Sequence, residues 1–236
     1  MPNRPSVVAM DSIQTIFSLE PIRRKLVALE LPPTSLEILF ASTVRDGMAL
    51  TLSGEFKPFL EVAASQLEIL LSQHSVDPSP SNIREVMSAF SELTVYPDVV
   101  PALTALKDSG IRIVIITNGG KNTTEKLVEK HGLNEFIEKI YSIDEVKMWK
   151  PYGTIYRHAA TDMNKDLFDI GLIAVHSWDI HGAAKVGYVT GWVSRLEGRF
   201  APAFGKPDVA GENVTDVVEA LLDLPVQKAA ERRQSV

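Results

Sequence analysis

The chain has 236 residues, 45% hydrophobic and 23% charged, an ordinary globular balance with enough apolar material for a sizeable core. Its 24 basic and 30 acidic residues leave a net charge of -6, which argues against a nucleic-acid footprint. There is no cysteine, so disulfides, thiol catalysis and cysteine-based metal sites are excluded.

Residues 6–11 read as a buried first strand, ending on Val7-Val8-Ala9-Met10-Asp11. Leu19, Ile22, Leu26 and Leu29 recur at helical spacing and predict a helix over 20–29, broken by Pro32-Pro33. Thr34 or Ser35 is placed to cap a second helix that runs to about Leu52. Ser53-Gly54 marks a turn, 57–73 a third helix and 82–92 a fourth. The stretch 18–95 is thus expected to be all helix. Beyond it the pattern alternates. A helix over 98–109 stops at Gly110, and Ile111 to Thr117 has the apolar, β-branched character of a central parallel strand. Asn122 to Glu125 resembles a capping box opening a helix to His131-Gly132. Strands follow at 136–142, 170–175 and 189–193, with helices at 152–163, 179–186 and 214–224.

This order predicts an α/β chain with a Rossmann-like parallel sheet core and an inserted helical cap domain. The core is assigned to 1–17 and 96–225, the cap to 18–95, and a polar, flexible tail to 226–236. No basic region followed by a long apolar stretch opens the chain, and no run reaches the ~18 apolar residues of a membrane span. A soluble, cytoplasmic protein without membrane or nucleic-acid partners is expected.

Four polar groups fall in or near the carboxyl ends of these strands, where ligands bind in an open α/β sheet. They are Asp11 with Thr15, Thr117-Asn118-Gly119-Gly120, Lys150 between Trp149 and Pro151, and Asp179 after His176-Ser177-Trp178. Each alone also fits a structural role. Asp11 can cap a turn, Asn118-Gly119 can be simple turn chemistry, Lys150 can be solvated, and Asp179 can complement a helix dipole. Together they are a set of parts for covalent catalysis by an aspartate.

From Val7 to about Glu219 these motifs resemble the haloacid dehalogenase superfamily, and within it the type II L-2-haloacid dehalogenase branch. Asp11 with Thr15 matches the nucleophile motif, and Thr117-Asn118-Gly119 the second. Lys150-Pro151 with Tyr156 matches the third, and Trp178-Asp179 with Gly182-Ala183 the fourth. Trp192-Val193-Ser194-Arg195 is similar to the family's following strand. The resemblance implies catalytic roles for Asp11, Lys150 and Asp179, a cap that closes over the crevice, and a homodimer. It implies substrate contacts from Thr15, Thr117, Asn118, Arg45, His176 and Trp178, with a small 2-halo acid as the partner molecule.

Departures from the superfamily pattern are informative too. Its phosphatases carry a second aspartate, the general acid, where this chain has Ile13, and a further carboxylate that helps hold magnesium where it has Ala174. Magnesium needs such oxygen ligands beside phosphate, whereas displacing halide from carbon does not, so no metal or other cofactor is expected. The better-known dehalogenases have tyrosine and glycine where this chain has Ile13 and Gln14. They have a cap arginine aligned with Ser42, with Arg45 three residues on, and an asparagine aligned with His176. These changes fall on the leaving-group site. Three functions compete: a haloacid dehalogenase, a metal-dependent phosphatase, and a non-catalytic binding protein on the same scaffold.

Overall fold

The computed structural model describes residues 2–226. The expected flexible tail therefore lies outside the described residues, apart from Val226. In chain order the elements are β1 (Val7–Met10), β2 (Phe17–Ser18), α1 (Glu20–Ala28), α2 (Ser35–Ser53), α3 (Phe59–Gln73), α4 (Pro80–Ser88), β3 (Thr94–Val95) and α5 (Val99–Asp108). There follow β4 (Arg112–Thr117), α6 (Lys121–Lys130), β5 (Ile137–Ser142), α7 (Ile143–Val146), α8 (Thr154–Asp162), β6 (Ile170–Ala174), α9 (Ser177–Val186), β7 (Val189–Val193), β8 (Val209–Gly211) and α10 (Val214–Leu222).

Six strands form one parallel sheet in the order β5-β4-β1-β6-β7-β8. β1 lies inside it, and Val7, Val8, Ala9 and Met10 have no exposed surface. An unbroken apolar run suits such a strand because helices cover both its faces. Successive side chains point to opposite faces. Val8 and Met10 join a core that extends through α5, α10 and the inserted helices, while Val7 and Ala9 join one built with α8 and α9. The chain builds outward from β1 in both directions, which opens a crevice at the carboxyl ends of β1, β4 and β6.

Several expectations need correction. Neither Thr34 nor Ser35 caps α2 through its side chain. The stretch 18–95 is not all helix, because β2 and β3 pair antiparallel, Phe17 with Val95 and Ser18 with Thr94. Two-residue strands are too short to leave a periodic signal, yet they draw together the two chains that enter and leave the helical insertion. The capping box at Asn122–Glu125 does not form. Gly120 is the N-cap, no side chain caps it, and both residues lie inside a helix that begins at Lys121. Ser79 does act as a cap, accepting from the Asn82 amide, so α4 starts two residues before the expected point. Among the described residues no helix is long and apolar enough to cross a membrane.

Candidate active site

Asp11 directly follows β1, and Asp179 lies in the first turn of α9, just after β6. These strands are neighbours, with Met10 opposite Ile173. The sheet itself therefore brings two carboxylates to one place. Lys150, from the segment between α7 and α8, lies between them. Its Nζ donates to Asp11 Oδ1 at 2.8 Å, to Asp179 Oδ2 at 2.6 Å and to the Ile116 carbonyl at 2.8 Å. All three ammonium protons are thereby used. Lys150 and Asp179 are fully buried and Asp11 is 3% exposed.

The remaining bonds fix this triad. Thr15 Oγ1 donates to Asp11 Oδ2 at 2.9 Å and accepts from the Val175 amide at 3.2 Å. The Lys150 amide donates to Asn118 Oδ1 at 2.9 Å. The Thr117 hydroxyl bonds Ser12 Oγ at 2.6 Å and accepts from the Gly119 amide at 2.8 Å, tying the β1 loop to the β4 loop. Asn118 and Thr117 thus hold loops in place. Tyr156 donates its hydroxyl to Asp179 Oδ1 at 2.5 Å.

Burial works against the charge of Lys150, but the two carboxylates outweigh it and hold its pKa above the usual lysine value. Burial, reinforced by the charge of Asp11, raises Asp179 despite the lysine beside it. Burial and Asp179 together push the Tyr156 phenol well up, so it stays a donor. One cation between two anions leaves the triad with one surplus negative charge. That makes a buried, oriented carboxylate able to act as a nucleophile and another able to accept a proton.

The side chains of three residues expected to contact substrate make no hydrogen bond to this triad. Arg45 is two-thirds exposed and pairs with Asp46, bonding neither Asp11 nor Asp179. His176 is buried, stacked between Phe40 and Trp178 with ring centroids 5.1 Å away on each side. Burial lowers its pKa, against the opposing pull of Asp11 and Asp179. Arg45, His176 and Trp178 all line a cleft of about 690 Å³ between α2 and the core.

The sequence alone assigns no role to several contributors. Tyr156 was visible only as part of a motif. Arg195 donates to the Thr15 carbonyl at 2.7 Å and to both oxygens of Asp98 at 2.7 and 2.8 Å. Trp149 is fully buried, and its amide donates to Thr51 Oγ1 at 2.9 Å and its indole to the Lys57 carbonyl at 3.1 Å. Their partners are too distant in sequence for any local pattern to reveal.

A family model described as haloacid dehalogenase-like hydrolase matches residues 28–175. The chain belongs to that family. It is 28% identical over 156 residues to (S)-2-haloacid dehalogenase 1 of Pseudomonas sp. (strain CBS-3), covering 64% of this chain and 69% of that one. It is 26% identical over 157 residues to haloacetate dehalogenase H-2 of Moraxella sp. (strain B), covering 66% of this chain and 70% of the other. Its fold matches the L-2-haloacid dehalogenase of Xanthobacter autotrophicus with chloropropionic acid covalently bound, with a TM-score of 0.81 at 19% identity over 93% of this chain and 99% of that chain. The six-stranded parallel sheet with its helical insertion is thus the fold of the family's haloacid dehalogenases.

Proposed function

We propose that this chain hydrolyses the carbon–halogen bond of small 2-halo carboxylic acids through a covalent ester on Asp11. The observation that carries the reading is the Asp11–Lys150–Asp179 triad, buried and bonded at 2.8 and 2.6 Å. A carboxylate oxygen of Asp11 attacks C2 from the side opposite the halogen. The carbon–halogen bond breaks, halide leaves with the electron pair, and C2 is inverted. Esterification removes the charge of Asp11, so Lys150 then faces Asp179 alone. Water attacks the ester carbonyl of Asp11 and gives a proton to Asp179, whose raised pKa suits it to the task. The tetrahedral intermediate collapses, the 2-hydroxy acid leaves with a proton, and Asp11 is restored. The sum is 2-halo acid plus water giving 2-hydroxy acid, halide and a proton.

The reading assigns no metal. Ile13 stands where the related phosphatases carry an aspartate as general acid, and Ala174 where they carry a further carboxylate that helps hold magnesium. It treats 18–95 as a cap over a core of 1–17 and 96–225.

A single turnover in oxygen-18 water tests the ester. Hydrolysis at the Asp11 carbonyl puts the label into Asp11 first, and the product oxygen then comes from the old carboxylate. Label found directly in the first product means that water attacks C2, and the covalent mechanism fails.

A further inference from the structure

The cleft between α2 and the core has a composition that the dehalogenation chemistry does not use. One wall is a stripe of Phe40, Val44, Met48 and Leu52. These residues recur every fourth position, so they lie along one face of α2. The stripe runs about 18 Å at 1.5 Å per residue. It begins at Phe40, stacked on buried His176, and ends at Leu52, which is 82% exposed. An apolar track therefore leads from buried His176 to solvent.

Its inner end carries polar atoms without partners. Gln14 Oε1 and His176 Nε2 are buried and make no hydrogen bond. Both residues line the cleft, and they are 6% and 3% exposed. Leaving such groups unpaired is costly, and sites that bind a ligand are where that cost is recovered. Gln14 stands three residues after Asp11, and His176 three before Asp179. The Asp179 amide donates to the His176 carbonyl at 3.1 Å. The polar end of the cleft is thus tied through the His176 backbone to Asp179, and the apolar stripe leads away from His176.

We propose that this cleft is the subsite for the C2 substituent, and that the preferred substrates are 2-halo acids bearing an extended apolar chain at C2. The inference rests on the dehalogenase reading of the same site. The substrate carboxylate accepts from His176 Nε2, the protonated nitrogen of the neutral ring in this pairing, while the chain of the substrate lies along α2. At about 690 Å³ the cleft falls within the ~300–1,000 Å³ common for ligand sites. A haloacetate or a 2-halopropanoate would leave the stripe uncovered. Each methylene taken from water is worth about a fourfold factor, or about 0.8 kcal/mol.

The test compares chloride release from (S)-2-chloropropanoate and (S)-2-chlorooctanoate in chelator. The expected result is a kcat/KM at least about tenfold higher for the longer acid, a cautious share of its five extra methylenes in a cleft open to solvent. Met48→Asp should reduce that ratio at least about tenfold, while Met48→Leu should keep it. Leu52→Asp lies at an exposed position where folding is not at stake, and it should lower the ratio in the same direction. Chloride from 2-chloropropanoate with no gain on the longer acid overturns the subsite alone. So does an equal loss on both acids in the aspartate variants. If those variants change the oligomeric state in sedimentation and leave the ratio fixed, the stripe is a contact between copies of the chain and the subsite is wrong. No chloride from either acid would refute the dehalogenase reading and the subsite with it.

Discussion

Replacing Lys150 by methionine probes the charge arrangement most directly. The change keeps most of the apolar volume and removes the cation that holds Asp11 and Asp179 together. Three hydrogen bonds of 2.6–2.8 Å are lost, and two carboxylates with almost no exposure face each other without compensation. Removing one partner of a buried ionic group costs about 3–5 kcal/mol, a large part of the ~5–15 kcal/mol that holds a typical domain. The cost should depend on pH. Asp179 is already raised in the folded protein and rises further without the ammonium. The folded variant then binds more protons than the unfolded chain between the two Asp179 pKa values. Its stability therefore increases as pH falls toward the ordinary carboxylate range. Urea unfolding at neutral and mildly acidic pH, followed by circular dichroism, measures both effects. The variant should lose about 3–5 kcal/mol at neutral pH and regain part of it in acid, and adding Asp179→Asn should restore more than half. A loss under about 1 kcal/mol, or one independent of pH, would show that the two carboxylates are not both charged in the native site.

Other consequences can be checked separately. Gly47→Ala should destabilise by about 1–3 kcal/mol or more, because its Cβ would fall within the Trp149 indole; a shift in thermal midpoint and in tryptophan fluorescence reads this. His176 is held below the usual imidazole value. The unfolded chain therefore takes up its proton first as pH drops through about 6.5, and native stability falls on the acid side. His176→Phe keeps the stack and should remove that part of the slope, seen as a smaller difference in urea midpoint between neutral and mildly acidic pH. Halide release should proceed at an unchanged rate after dialysis against chelator, and restoration of lost activity by magnesium would contradict the assignment of no metal.

The sheet was readable from the sequence because its strands are buried on both faces. β1, β4 and β6 are apolar runs with no need to alternate, and the residues that end them are the ones that face a crevice. Asp11 and Asp179 could be placed together for that reason. What was not readable depends on partners remote in the chain. Trp149 meets Thr51 across 98 positions, and Arg195 meets Thr15 across 180. Arg45 was assigned to the substrate by its helical spacing from Ser42. Spacing fixes a direction around the helix, but the guanidinium there is exposed and bonds the neighbouring Asp46. β2 and β3 fell below the length at which period-two patterning can be counted.

The insertion also reaches the chemistry in a way that a simple cover would not. Trp149 precedes Lys150, and its indole is enclosed by the inserted helices, with Phe59 at 5.7 Å and Gly47 leaving room for the ring. On one side Thr51 of α2 accepts from the Trp149 amide, and on the other Asn118 accepts from the Lys150 amide. The backbone that presents the lysine is thus stretched between insertion and core. Thr51→Val removes the hydroxyl with little change of volume and leaves the Trp149 amide unpaired, at a cost of about 1–3 kcal/mol. If the insertion only encloses substrate, this remote change should raise KM and spare kcat. If it positions Lys150, kcat should fall with KM little changed, since the ground-state contacts remain while the group that balances Asp11 is displaced. Thr51→Ser, which keeps the acceptor, should restore kcat. A raised KM with normal kcat would return the insertion to the role of a cover.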